Sequence, residues 1–278
     1  YFPDGLYTPP GEEAMLYDIE YTRQIGCNMI RKHIKVEPLR WYYHCDRLGM
    51  IVWQDMPNGG LIDGEVVAFL SLSVGFKRDD TRNLKRFGRE DESNRAEYRS
   101  ELQRMVDHLY NAPCIAVWVP FNESWGQFHA RETADWLKGY DSTRLVDHAS
   151  GWFDQGGGDF QSRHIYFKKL FRPTADGRAF IISEFGGYSL KIPGHMWDAQ
   201  KKFGYRFYDN REALTDAYVK LLERELLPLI PCGLTAAVYT ETTDVEIEIN
   251  GYLTYDRKVE KMDAGKVREV HRKVIEAG

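Results

Sequence analysis

The chain has 278 residues, 43% hydrophobic and 28% charged, the make-up of a globular chain able to bury a large core. Its net charge of −5 comes with both signs interspersed, which excludes a basic nucleic-acid face and a polybasic membrane tract. No apolar run approaches the ~20 residues of a transmembrane helix. Tyr1 to Gly11 is turn-rich and aromatic. With Tyr1 in place of an initiating Met, the expectation is a fragment of a longer multidomain chain, its compartment open, with periplasm or secretion expected for the full-length protein. Glu12 to Gly26 carries Met15, Ile19, Thr22 and Ile25 at helical spacing, and Gly26 stops it. A short strand around Asn28–Ile30 follows and ends in Arg31, Lys32 and His33. Next come a helix from Pro38 to Leu48, stopped by Gly49, and a strand from Met50 that ends in Asp55. Helix, strand, helix, strand is the order that builds a parallel sheet.

Residues 58–94 break this rhythm, and their densely charged second half reads as an insertion. Arg95 to Tyr110 is amphipathic, with Tyr98, Leu102, Met105, Val106 and Leu109 on one side. It leads into Val117-Trp118-Val119, a buried strand, and then Pro120, Phe121, Asn122 and Glu123. Beyond it the pattern predicts a helix over His129–Tyr140, strands over Leu145–His148 and Arg163–Tyr166, and a strand from Ala179 to Glu184. A second, aromatic insertion over 187–210 precedes a long helix, Glu212–Ile230, a strand, Leu234–Thr240, and a last helix, Ala264–Glu276. Gly156-Gly157-Gly158 lacks the Lys-Ser/Thr of a phosphate loop, which removes nucleotide binding there. Cys27, Cys45, Cys114 and Cys232 form no CxxC pair and no histidine cluster completes a metal site, so free thiols, no metal and no cofactor are expected.

Seven strands, six of them ending in polar residues, fit a (β/α)8 barrel of about 250 residues with its site at the strands' C-terminal ends. One such domain over 1–278 is expected, with its first strand lying before Tyr1. Two of the exits carry the chemistry. A lone glutamate after a strand would be a cap or a surface acid. Glu123 and Glu184, however, both end apolar runs, and two carboxylates are what sugar hydrolysis requires. A carboxyl half out of water can keep its proton and so donate it.

Val117–Glu123 followed by Ser124-Trp125-Gly126 resembles the Asn-Glu signature of glycoside hydrolase family 2, the β-galactosidases, β-glucuronidases and β-mannosidases. Ile182-Ser183-Glu184-Phe185-Gly186 resembles that family's nucleophile strand, and Val238–Tyr255 one branch's last strand and exit. The similarity covers essentially the whole chain and implies a catalytic TIM barrel preceded by β-sandwich domains. It also implies a retaining exo-β-glycosidase that uses Glu123 as acid/base and Glu184 as nucleophile on a carbohydrate substrate. By the same resemblance Asn122 holds the sugar 2-hydroxyl, Arg31 keeps the nucleophile ionised, and Tyr166 lies against it, with His164 on the same strand face. His33, Asp55, Trp125 and Tyr239 complete the expected substrate-binding set. Arg31 has a second reading, an ion pair with Asp55. Two departures concern the substrate: His33 lies two residues after the arginine where many members have a histidine three on, and Tyr239 stands where a tryptophan is common. The competing expectation is a non-catalytic carbohydrate-binding or scaffold barrel.

Overall fold

The computed structural model describes residues 2–59, 79–82, 84–124 and 126–278. Trp125 and most of the 58–94 insertion therefore lie outside the described residues. The chain folds as two compact units, one of Tyr1–Asn28, Ile165–Pro173 and Glu184–Gly278, the other of Met29–His164 and Thr174–Ser183.

The first unit opens with α1 (Glu12–Gln24), whose Met15, Ile19 and Thr22 are buried as their spacing predicts. Its N-cap, Gly11, offers no side chain, and Glu12 and Glu13 supply the negative charge that a helix N-terminus favours.

In the second unit β1 (Met29–Lys32), β2 (Ile51–Asp55), β3 (Ile115–Val119) and β4 (Leu145–Val146) run parallel in chain order. A doubly wound sheet would reverse that order part-way, whereas a barrel adds each strand beside the last. The crossovers are α2 (Leu39–Leu48), closed by Gly49, then α3 (Glu92–Leu109) and α4 (Ala130–Tyr140). Helix α3 begins three residues before the expected Arg95, because the Asp91 side chain accepts the Ser93 amide and caps it. Strand β4 stops at Val146, two residues short of expectation. The Asp147 amide still donates to Trp118 and the Ser150 amide to Phe121, so the edge continues as single bonds. Strand β5 (Phe160–Ile165) starts three residues earlier than predicted and ends before Tyr166. Trp118 is fully buried, and its indole donates to Asp141 at 2.9 Å. Asp154 ties the β5 end together, accepting from Arg178 at 2.7 and 3.0 Å and from the Gly156 amide at 2.8 Å. These donors hold its carboxyl well below the usual carboxylate range.

Strand β6 (Ala179–Gly186) passes through both units. Its first five residues belong to the second unit and its last three to the first, which also contains β9 (Leu234–Thr240). Residues 187–210, expected only as an insertion, contain a parallel pair, β7 (Tyr188–Leu190) and β8 (Arg206–Tyr208). The long helix expected over Glu212–Ile230 is three pieces. It is regular in α5 (Arg211–Leu221), widens to a π turn over Leu222–Leu226, and tightens to a 3-10 turn over Leu227–Cys232. Pro228 and Pro231 lack the amide hydrogens that a regular helix would use. The last helix is α6 (Ala264–Glu276), capped by Asp263. None of the four cysteines is in a disulfide: Cys45 is buried, Cys27 and Cys114 half-buried, Cys232 exposed.

The first unit also closes a polar chain inside itself. His271 Nδ1 donates to the Ile25 carbonyl at 2.8 Å. Nε2 is then left to accept from the Tyr218 hydroxyl at 2.5 Å, whose oxygen takes the Tyr252 hydroxyl at 2.6 Å. Burial disfavours a second proton on the ring and pulls the His271 pKa from 6.5 to about 4. Above pH 6.5 the ring is neutral in folded and unfolded chains alike. Between about 6.5 and 4 only the unfolded chain takes up the proton, so folding stability falls as pH falls. The loss by pH 4 is roughly 3 kcal/mol at ~1.4 kcal/mol per unit. Urea titrations at pH 7.5 and 4.5 check this, because His271→Gln removes that part of the slope; an unchanged slope contradicts it.

Candidate active site

The exit of β3 is fixed from α3. The Tyr98 hydroxyl donates to the Pro120 carbonyl, and its ring stacks on Phe121 at 5.2 Å. Arg89 lies over the Tyr98 ring at 4.7 Å and donates to the Gly126 carbonyl at 2.8 Å. Between these anchors Glu123 and Ser124 both adopt left-handed backbone, with φ of 48° and 64°. Such strain costs ~1–3 kcal/mol per residue and persists only where neighbours impose it. Here the Glu123 amide donates to the Ser150 carbonyl at 2.8 Å, and Asn122 pairs with Ser150 as a parallel bridge.

Around this exit the second unit gathers five of the expected residues in addition to Glu123. Arg31, at the end of β1, donates through Nε and Nη2 to the two oxygens of Asp55 at 3.0 and 2.8 Å. Nη2 also reaches Asn122 Oδ1 at 2.7 Å, and Nη1 the Ser183 carbonyl at 3.1 Å, one residue before Glu184. The Arg31 and Asp55 side chains are 2% and 1% exposed, so the pair is desolvated and bidentate. Because guanidinium only donates, the Asn122 oxygen must face it, and the Asn122 amide nitrogen then faces His33 Nε2 at 3.2 Å. His164 Nδ1 lies 2.6 Å from Glu123 Oε1, and its Nε2 3.0 Å from Ser150 Oγ.

The first unit holds Glu184, Tyr166 and Tyr239. Glu184 is buried at 8% exposure, and the Tyr166 hydroxyl donates to its Oε2. That hydroxyl also lies 3.1 Å from Thr240 Oγ1, and the Tyr166 ring stacks flat on Tyr205 at 3.7 Å. Gly186 follows with φ of 88°, and a Cβ there would meet the Tyr239 ring at 2.3 Å. Only glycine lets that ring slide under the strand exit. The Tyr239 hydroxyl accepts the Tyr188 amide at 3.2 Å, and burial pushes its pKa well up. Tyr239 thus packs beneath the turn that follows Glu184.

Sequence reading missed three residues of these clusters. Thr240 was within reach, since it is the polar end of β9. Ser150 and Tyr205 gave no signal, as each comes from a loop whose path only the folded chain sets. Trp53 is buried and stacks on Phe160 at 5.6 Å, a core role. Trp152 packs on Phe87 and Phe153, while Trp197 is exposed, edge-on to Tyr255 at 5.7 Å.

Residues 10–274 match the family model described as glycosyl hydrolases family 2, TIM barrel domain. The chain belongs to glycoside hydrolase family 2. Its fold is the α/β barrel of that family, as the strand order and polar exits predicted. A β-galactosidase of Klebsiella pneumoniae is 30% identical over 144 residues, 51% of this chain and 12% of that protein. One of Pectobacterium atrosepticum is 29% identical over 141 residues, 50% of this chain and again 12% of the relative. The chain therefore spans only a small part of the length of these relatives. Among solved structures, the β-galacturonidase of Eisenbergiella tayi bound to galacturonate superposes with a TM-score of 0.64. It has 17% identity over 95% of this chain and 48% of its own. A β-glucuronidase of Parabacteroides merdae gives 0.61 at 17% identity, over 90% of this chain and 33% of its own. At such identities these structures show a shared fold.

Proposed function

We propose that the chain is the catalytic barrel of a retaining exo-β-glycosidase, with Glu184 as nucleophile and Glu123 as acid/base. The observation that carries this reading is that Glu123 follows the parallel strand β3, Glu184 lies near the end of β6, and each is held by a hydrogen bond to a histidine or tyrosine. A Glu184 oxygen attacks the anomeric carbon as the glycosidic C–O bond breaks and the Glu123 proton passes to the leaving oxygen. Water then attacks the glycosyl ester, returns a proton to Glu123, and frees the sugar with its configuration kept. The Tyr166 donor bond suits a nucleophile that must present lone pairs. The Asn122 amide, oriented by Arg31, has a second hydrogen for the sugar 2-hydroxyl, a contact that strengthens as charge develops on the ring.

A terminal β-linked galactoside is the first substrate to test, on the strength of relatives named β-galactosidase. β-Sandwich domains earlier in the same polypeptide are the expected partners of the barrel. Proton NMR of the intact protein acting on an aryl β-galactoside tests the mechanism. The β-anomer is expected first, mutarotating later; the α-anomer first would mean inversion, with Glu184 activating water instead.

A further inference from the structure

Three groups of the second unit are joined end to end: Ser150 Oγ, the His164 ring and Glu123 Oε1, at 3.0 and 2.6 Å. The His164 side chain is 0% exposed and that of Glu123 16%, so the imidazole is sealed behind the carboxyl it touches. Gly151 makes the seat. At φ of 91°, a Cβ there would lie 2.5 Å from His164 Cγ, a clash with the ring. Ser150 serves twice, since its carbonyl takes the Glu123 amide and its hydroxyl faces the far nitrogen of the histidine.

We infer that His164 is a positioning residue for Glu123, donating its Nδ1 hydrogen to Oε1 throughout the cycle so that Oε2 carries the transferable proton. This rests on the reading of Glu123 as acid/base. Once its proton has gone to the leaving oxygen, Glu123 only accepts, so in that state the ring must donate to it from Nδ1. The Ser150 hydroxyl can rotate to give its hydrogen to Nε2, which accommodates that tautomer. In the first step the Oε2 proton moves to the glycosidic oxygen, and the charge left on the carboxylate strengthens the Nδ1–H bond. In the second, water returns a proton to Oε2, and the imidazole neither gains nor loses one. The other charged and titratable groups of the second unit bearing on this corner are Arg31, Asp55 and His33 around Asn122. Asp147 and His148 precede Ser150, and Arg163 precedes His164. None of these is altered in the variants below.

The test compares kcat/KM of the intact protein for 2,4-dinitrophenyl and phenyl β-galactosides. His164→Phe is expected to slow the phenyl substrate by ~10–100-fold, part of the ~10²–10⁴-fold that acid catalysis supplies. The dinitrophenyl substrate, whose leaving group needs no proton, should change by less than about threefold. The alkaline limb of the phenyl profile should move to higher pH, because a lost donor disfavours the carboxylate. His164→Asn, with an amide nitrogen in place of Nδ1, should recover most of the loss, and His164→Gln should not. Equal losses on both substrates, a limb moving to lower pH, or no difference between Asn and Gln overturns the inference. Selective ¹⁵N-histidine NMR of the unaltered protein reads the tautomer directly: Nδ1–H is expected, and Nε2–H or imidazolium at the working pH overturns it. Failure of the underlying reading looks different, for then Glu123→Ala slows both galactosides alike.

Discussion

Glu184→Gln in the intact protein is expected to lower turnover of a β-galactoside by at least ~10⁴-fold, the scale on which removing a catalytic nucleophile is felt. The amide has the shape of the carboxyl, and its oxygen still accepts the Tyr166 hydroxyl, so the β6 exit keeps its packing. What it loses is the charged oxygen that the proposed mechanism bonds to the anomeric carbon. Both steps then fail, since without the glycosyl ester there is nothing for water to attack. Initial rates on an aryl β-galactoside, with a far-ultraviolet spectrum to confirm the fold, check this. Turnover within tenfold of the unaltered protein would remove Glu184 from the mechanism; sugar binding without turnover in the unaltered protein would instead favour a carbohydrate-binding barrel.

The second large effect falls on stability. Arg31→Met is expected to cost about 3–5 kcal/mol, because it leaves Asp55 as an uncompensated charge in a dry site. The two side chains are 2% and 1% exposed, so water does not replace the lost guanidinium. The double change Arg31→Met with Asp55→Leu should recover most of that stability, since a buried ion pair is often no better than packed apolar groups. Activity should stay low in both. Arg31 also holds Asn122 Oδ1 and the carbonyl before Glu184, and neither contact returns with a leucine. Urea unfolding of the single and double variants measures the first effect. A single variant that loses less than about 1 kcal/mol would show the pair to be solvated.

Both readings of Arg31 drawn from sequence bear on this. As an ion-pair partner of Asp55 it is seen directly. Its bond to Asn122 gives it a further role that no spacing revealed, since β1 and β3 are not neighbours and are separated by β2.

The sequence by itself determined the parallel alternation, the polar strand exits, and Glu123 and Glu184 as their acids. Each is a local property: runs of apolar residues form strands buried on both faces, and glycines or asparagine and aspartate caps bound the helices. Local pattern failed where backbone chemistry interrupts it, as Pro228 does beyond α5, and where a cap sits in a charged stretch, as Asp91 does before α3. Only the tertiary structure decided that Ser150 closes the back of His164, that Gly151 makes room for its ring, and that Thr240 and Tyr205 flank Tyr166. These partners lie 13 to 74 residues apart in the chain, and no periodicity along a strand or helix spans such distances. Which polar atoms meet is settled by how strands register and loops fold back, because a buried donor or acceptor must find its partner wherever packing brings it.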